Sequence, residues 1–414
     1  MSVRDLTAQD FVPYKTMSSG AFGGTFDPES PTAPREFSPS ETPIGIDSAG
    51  LPGGVDGVLA AGARIRHDQI TLGGGLVGSG GIAGLVVHPA HRGDGLFSEL
   101  ITAVIARCDV EGLPVSMLYP SHPAIYHRYG YQVVARGQSL IVPLLDLQRI
   151  PAVPHRRLVP VTAATMPRLR ELYHRLSADD NAMLRREPPL FALGLPAAGW
   201  SALLLQDESG TDHGYLSWTR LSQDPHGVGL EVHELMGRTR SDRLALLRSL
   251  GSWSTVTELA RLRVRTEDPV LDALPGAGAR PSPQPVPLVM MRVIDTAATL
   301  RARRAPEPLS GSIRLVVEDG TVPAGTCRAA GTFLVSADGG TIAADTVDEL
   351  ADPTTPDVLG TVRLDIHAAS LLLMGGRTLA DARRLDLSAV ADPAAETFLD
   401  ALLAGPRPSV MDAF

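Results

Sequence analysis

The chain has 414 residues, 44% of them apolar and 20% charged, which supplies two to three packed cores and carries no disordered or fibrous bias. A formal net charge of −9 argues against nucleic acid as a partner and leaves room for cationic substrates. Cys108 and Cys327 alone build neither a disulfide framework nor a thiolate metal site. The charged start (Arg4, Asp5, Asp10) and the lack of any apolar run near the ~20 residues of a membrane span predict a cytoplasmic protein without membrane contact.

In chain order, a strand-like start over Ser2–Leu6 leads to Thr7, which reads as a helix cap before Phe11–Ser19. Residues 27–57 are rich in Pro, Gly and Ser and read as a long loop or a cap over a ligand. A glycine-studded stretch, 73–81, runs into Ile82–Val87, whose continuous apolarity suits a buried strand stopped by Pro89. From there Leu96, Phe97, Leu100, Ile101, Val104, Ile105 and Cys108 recur at three- and four-residue steps, the pattern of a helix with one buried face, which Gly112 and Pro114 end. A strand at Val115–Tyr119, a short helix around Pro123–Tyr129 and a strand over Tyr131–Leu144 complete an alternation that implies an α/β layer.

Pro151–Arg157 reads as a linker. After it, a strand at Leu158–Ala164 and a helix through Leu169, Leu172 and Leu176 restate the opening plan, the sign of an internal repeat. Val228–Met236 and Ser241–Leu250 again give strand, turn and helix, but their turn, Gly237-Arg238-Thr239-Arg240-Ser241, lacks the glycines of the earlier one. From Pro306 onward, strands at 312–318, 327–336 and 340–344 and helices near 367–374 and 394–403 suggest a separate α+β domain. The run Leu371-Leu372-Leu373-Met374 reads either as packed core, the favoured reading, or as the wall of an apolar pocket.

The chemistry concentrates in Val86-Val87-His88-Pro89-Ala90-His91-Arg92-Gly93-Asp94-Gly95-Leu96, a strand that turns on glycines straight into a helix. Such a turn presents unpaired N–H groups at the positive end of the helix dipole, a cradle for an anion. Gly93 and Gly95 let the backbone approach a pyrophosphate, Arg92 adds a charge-assisted contact, and Asp94 opposes binding unless its carboxylate turns away. His122 and His127 lack companion ligands, so no metal is expected.

Arg92-Gly93-Asp94-Gly95-Leu96-Phe97 resembles the pyrophosphate loop of GNAT acetyltransferases, R/Q-x-x-G-x-G/A, with Phe97 departing at the last position. Within GNATs, His88–Phe97 and Ile125-Tyr126-His127-Arg128-Tyr129-Gly130-Tyr131 are similar to the Eis (enhanced intracellular survival) family, in which a bulky apolar residue at that last position is usual. Met291-Arg292-Val293-Ile294-Asp295 and Leu300–Arg303 are similar to that family's join between its second and third domains.

The resemblance implies tandem GNAT domains, the second degenerate, followed by a sterol-carrier-protein-like domain, within an α/β and α+β fold divided at 1–152, 153–303 and 304–414, and a homo-hexamer. It implies acetyl-CoA as cosubstrate with no metal: Leu85, Val86 and Val87 along the pantetheine arm, Gly93, Asp94, Gly95, Leu96, Phe97 and Ser98 at the pyrophosphate with Arg92 beside them, and Ser121 and His122 at the thioester. Tyr126 is the implied general acid, with Tyr129 and Tyr131 as rivals, and the terminal carboxylate of Phe414 the implied general base, with Asp412 as a competitor. Phe26, Asp27, Glu29 and Asp412 are candidates for contact with a polycationic amine. The expected activity is acetyl transfer to small amines, aminoglycosides first and at more than one position. Acetylation of protein lysines is the second reading, and an acetyl-CoA-sensing or apolar-ligand-binding protein the non-enzyme one.

Overall fold

The computed structural model describes residues 3–30, 34–276, 278–347 and 358–412. Two compact units emerge: residues 1–134, 289–405 and 412–414 form the first, and residues 135–288 and 406–411 the second.

The first unit opens with β1 (Arg4–Asp5), α1 (Phe11–Phe22), β2 (Glu41–Asp47), β3 (Leu59–Leu72), β4 (Gly75–Val87), α2 (Leu96–Val110), β5 (Val115–Leu118), α3 (Pro123–His127) and β6 (Gln132–Arg136). Strands β1 to β4 pair antiparallel in sequence, and β4 pairs parallel with β5 across the α2 crossover. The apolar stripe of α2 is buried as its period dictates: Leu96, Leu100, Ile101, Val104, Ile105 and Cys108 face the sheet and join Ile65, Ile82 and Leu118 in one cluster. Each fully buried aliphatic side chain there contributes about 1.5–3 kcal/mol. The loop expected over 27–57 contains β2, and its Gly45 lies against Ala61, where a Cβ would come 2.9 Å from the Ala61 carbonyl.

The second unit contains β7 (Gln138–Pro143), α4 (Leu144–Gln148), β8 (Arg157–Pro160), α5 (Met166–Leu176), β9 (Trp200–Gln206), β10 (Asp212–Arg220), β11 (Val228–Gly237), α6 (Arg240–Gly251), β12 (Leu259–Val264) and β13 (Arg280–Pro281). Its seven-stranded sheet has the order β13-β7-β12-β11-β10-β9-β8, with β11 and β12 parallel across α6. The stretch read as one strand over 131–144 is two: β6 belongs to the first sheet and β7 to the second. The break is at Gly137, whose N–H donates to the Pro287 carbonyl at 2.8 Å and where a Cβ would lie 2.8 Å from the Pro287 ring.

The C-terminal segment is part of this unit through Met411. Ser409 N–H donates to the Asn181 carbonyl at 2.8 Å, Thr266 N–H donates to Ser409 Oγ at 2.8 Å, and the Arg263 guanidinium donates to the Met411 carbonyl at 2.6 Å. Ser409 and Val410 are buried, so the segment through Met411 is fixed here.

The chain rejoins the first sheet through β14 (Leu288–Val293), antiparallel to β5, which gives the order β1-β2-β3-β4-β5-β14-β6. The sheets thus change hands at Gly137 and Leu288. There follow α7 (Thr296–Arg301), β15 (Gly311–Glu318), β16 (Gly331–Asp338), β17 (Thr341–Thr346), β18 (Val358–Asp365), α8 (Ile366–Leu372), α9 (Leu379–Arg384), β19 (Ala389–Ala391) and α10 (Pro393–Leu402). Their five-stranded sheet runs β17-β16-β15-β18-β19. Leu371 to Met374 are at most 1% exposed and are packed core. Among the described residues, no helix is long and apolar enough to cross a membrane.

Candidate active site

The geometry starts with a defect in β4. Its pairing with β3 shifts register between Gly62 and Arg64, so that Gly84 and Leu85 together face Ala63, a β-bulge. Gly84 has φ 59°, a left-handed conformation that glycine adopts without cost, and a Cβ there would meet Tyr14 Oη at 2.2 Å. That phenol is buried and donates to the Gly84 carbonyl at 2.9 Å, which pins the bulge; burial pushes its pKa up to about 12. Pairing of β4 with β5 covers only Ser79–Ile82 against Val115–Leu118. Past Ile82 the two strands no longer pair, and the β4 edge over Ala83–Val87 offers main-chain groups to an extended ligand. Leu85 and Val86 are buried there and Val87 half-buried.

This edge leads into the glycine turn. Gly93 and Gly95 take φ of 98° and 82°, and no atom lies within 4 Å of where a Cβ would point on either, so the space before the turn is open. Gly95 is the N-cap of α2 and supplies no side-chain cap, which leaves the N–H groups of Leu96 and Phe97 to an outside acceptor, while Ser98 N–H already donates to the Gly95 carbonyl at 3.0 Å. Arg92 to Gly95 and Ser98 are exposed, Phe97 is half-buried, and Leu96 is core. The Asp94 carboxylate leans toward the buried His91 ring, with Oδ2 3.7 Å from Nδ1.

Phe97 connects the turn to the tyrosines. Its ring meets Tyr126 edge-on at 5.6 Å and Tyr129 at 5.9 Å. Tyr126 is 7% exposed; burial raises its pKa above the ordinary 10, an effect that the Ser121 hydroxyl partly offsets. Its rival Tyr131 is fully buried and shares a hydrogen bond of 2.7 Å with Ser116 Oγ, which in turn donates to the Gly80 carbonyl at 3.1 Å. Tyr131 is therefore a core tyrosine with its hydroxyl engaged. Ser121 and His122 are exposed before α3.

The α3 turn is held from behind by residues whose local pattern carries no such signal. Arg292 of β14 is fully buried; its guanidinium donates to the Tyr129 carbonyl and to Thr321 Oγ1 (3.0 Å) and pairs with Asp319. Ser370 Oγ of α8 donates to the Gly130 carbonyl at 3.1 Å. Tyr119, one residue past β5, donates its phenol to the Asp412 carbonyl and so fixes the end of the described chain beside the site. Phe414 lies outside the described residues. In the early loop, Phe26 packs edge-on against Phe11 at 6.2 Å, and Asp27 Oδ1 accepts from Glu29 N–H at 2.9 Å. No group of three His, Cys, Asp or Glu suited to a metal occurs among the described residues.

An unpaired strand edge running into an uncapped, glycine-turned helix start is the geometry of a site for an extended molecule that ends in phosphates. Residues 2–134 match the family model described as "Acetyltransferase (GNAT) domain". The first domain is a GNAT acetyltransferase domain. It makes the chain an enzyme, an N-acetyl-transferring acyltransferase.

No curated protein matches the chain. Solved structures similar along the whole chain include a GCN5-related N-acetyltransferase from Anabaena variabilis ATCC 29413 (19% identity, TM-score 0.82, covering 100% of both chains). Another, from Kribbella flavida, has 22% identity and a TM-score of 0.77 over 100% of this chain and 98% of that one. Eis1 from Mycobacterium abscessus has 19% identity and a TM-score of 0.72, covering 100% of both chains. At these identities the likeness is one of fold.

Proposed function

We propose that the chain is an acetyl-CoA-dependent N-acetyltransferase of the Eis kind that acetylates small amines, aminoglycosides first and at more than one position. The observation that carries the reading is the free β4 edge past Gly84 leading directly to the uncapped start of α2. Acetyl-CoA supplies the activated acetyl thioester. Leu85 to Val87 hold the pantetheine arm by main-chain hydrogen bonds, and the N–H groups from Gly93 to Ser98, with Arg92, hold the pyrophosphate. Ser121 and His122 line the thioester end.

The carboxylate of Phe414, ionised at neutral pH, takes a proton from the incoming ammonium. The amine nitrogen then attacks the thioester carbonyl; as the carbon–sulfur bond breaks, Tyr126 donates its phenolic proton to the leaving sulfur. The Tyr119 bond to Asp412 supports this assignment of the base, since the two residues beyond Asp412 reach about 7 Å. Asp412 and the early acidic loop around Phe26 and Asp27 receive the cationic acceptor. The three-domain division ending in a sterol-carrier-like domain, a homo-hexameric assembly and a cytoplasmic setting belong to the same reading; light scattering tests the assembly.

The test is CoA release with a panel of aminoglycosides and a lysine peptide, using protein with a native C-terminus beside Tyr126→Phe and a variant extended past Phe414. Turnover of aminoglycosides, with kcat reduced about 10²-fold or more in both variants, is expected. Turnover of the lysine peptide alone would transfer the function to protein substrates, and full activity in Tyr126→Phe would remove the acid assignment.

A further inference from the structure

The second unit contains a cavity of about 450 Å³ that the acetyl-transfer reading does not use. It lies at the carboxyl ends of β11 and β12, where open α/β sheets place ligands: Gly237 closes β11, Arg238 follows it, Arg243 comes from the first turns of α6, Arg265 lies just past β12, and Arg175 projects from α5. Among the described residues, the side chains of Arg175, Arg238 and Arg243 make no hydrogen bond or ion pair, and Arg243 Nε is buried without a partner.

The lining acids do not answer these cations. Asp180 is committed to Arg265, which also binds Asp268 with Nε 3.1 Å from Oδ2, and Asp212 is committed to Arg168 at 2.9 Å. Only Asp179, exposed, remains without such a bond in the lining. Arg175 and Arg238 are exposed and Arg243 half-buried, so the lining holds three guanidiniums without an ion pair against one such carboxylate. Burial holds the Arg243 pKa below its ordinary value; the Asp268, Asp242 and Asp272 carboxylates act against this and the charge of Arg265 with it. For Arg243 this carries a cost in desolvation and in repulsion from Arg265, which a bound anion offsets.

We propose that this cavity binds a small polyanion, a compact molecule carrying phosphate or carboxylate groups, gripped by Arg175, Arg238 and Arg243. Guanidinium forks match both oxyanions bidentately, and the volume falls in the range of roughly 300–1,000 Å³ usual for small-molecule sites. No Phe, Tyr or Trp lines the cavity, and its one ring, His213, is tied to Asp207 at 2.9 Å. The start of α6 is not the anchor. Thr239 and Asp242 close it with a capping box, and the attraction comes from side-chain cations alone.

The experiment titrates pyrophosphate and citrate into the full chain saturated with acetyl-CoA, so that the first domain's turn does not compete, at constant ionic strength with chloride as the reference. Calorimetry is expected to give one site per chain for at least one anion, and the preferred one identifies phosphate or carboxylate as the ligand group. Arg243→Gln and Arg238→Gln are each expected to weaken it at least tenfold. Without anion, Arg243→Gln is expected to melt no lower than the parent, because it removes an unpaired cation. Absence of binding by both anions, unchanged affinity in both variants, or a lower melting temperature of anion-free Arg243→Gln overturns the proposal.

Discussion

The segments β4–α2 and β11–α6 are two versions of one plan, a bulged strand feeding a helix whose crossover returns to a parallel neighbour. In both, parallel pairing stops near the bulge: at Ile82–Leu118 in the first, and at Val232–Leu262 in the second, where His233 is the extra residue opposite β10. They differ in what fills the opening. In the first, eight residues with two left-handed glycines separate strand from helix, and the helix starts uncapped. In the second, Arg238 and Thr239 alone join them; Thr239 Oγ1 accepts from Asp242 N–H at 3.2 Å, while Asp242 Oδ2 accepts from Thr239 N–H at 3.0 Å. A buried carboxylate thus closes the helix start that is left open in the first segment. The β11–β12 edge is also occupied: Arg263 of β12 holds the Met411 carbonyl, and Met411 packs on the cluster that includes Met236 of β11. The lesson is that the same strand-to-helix plan offers donors to an outside anion only where the helix start is not satisfied by its own side chains.

The comparison can be broken most severely at the bulge. Gly84→Val places a branched Cβ at φ 59° against Tyr14 Oη, and strain plus clash are expected to lower stability by about 3 kcal/mol, read in denaturant melts, with loss of acetyl-CoA binding. Ser98→Asp sharpens it: Ser98 occupies in α2 the third-residue position that Asp242 occupies in α6, so the new carboxylate should cap the helix and repel phosphate. A fall in acetyl-CoA affinity of about tenfold, near 1.4 kcal/mol, is expected by calorimetry with no loss of thermal stability. Thr239→Ala is the reciprocal change; it should cost about 1 kcal/mol of stability and leave acetyl-CoA affinity where it was.

The smallest effect is one of pH. A general acid acts while protonated, and burial raises the Tyr126 phenol above 10. The kcat profile should therefore show no alkaline fall below pH 10 from this group. A decline between pH 8 and pH 9 that disappears in Tyr126→Phe would contradict the assignment.

The first of these two segments was legible in the sequence because everything that shapes it is local: the apolar run of β4, the paired glycines and the three-and-four spacing of α2. The strand β3 gave no such signal. Its Arg64, Arg66 and Asp68 look like surface residues, yet they lie in the sheet because Glu41 answers Arg64 at 2.9 Å and Asp68 answers Arg66 at 3.0 Å. The continuous pattern over 131–144 hid the sheet change at Gly137 because strand periodicity does not record which neighbour a strand pairs with. Tyr119 and Asp412 are 293 residues apart, and Arg292 grips a turn far upstream; contacts of that range leave no trace in local composition. For Phe26 and Asp27 the sequence showed the chemistry but not the local frame, an aromatic packed on Phe11 and a carboxylate that accepts from Glu29 N–H.

The account stands most directly on the number of acetyl-CoA molecules bound per chain, measured by calorimetry on the parent and on Ser98→Asp. One site per chain, weakened in the variant, is the predicted result. Two sites per chain, or a single site indifferent to Ser98→Asp, would contradict the claim that the open turn of the first domain is the acetyl-CoA site and that the capped turn of the second has lost it.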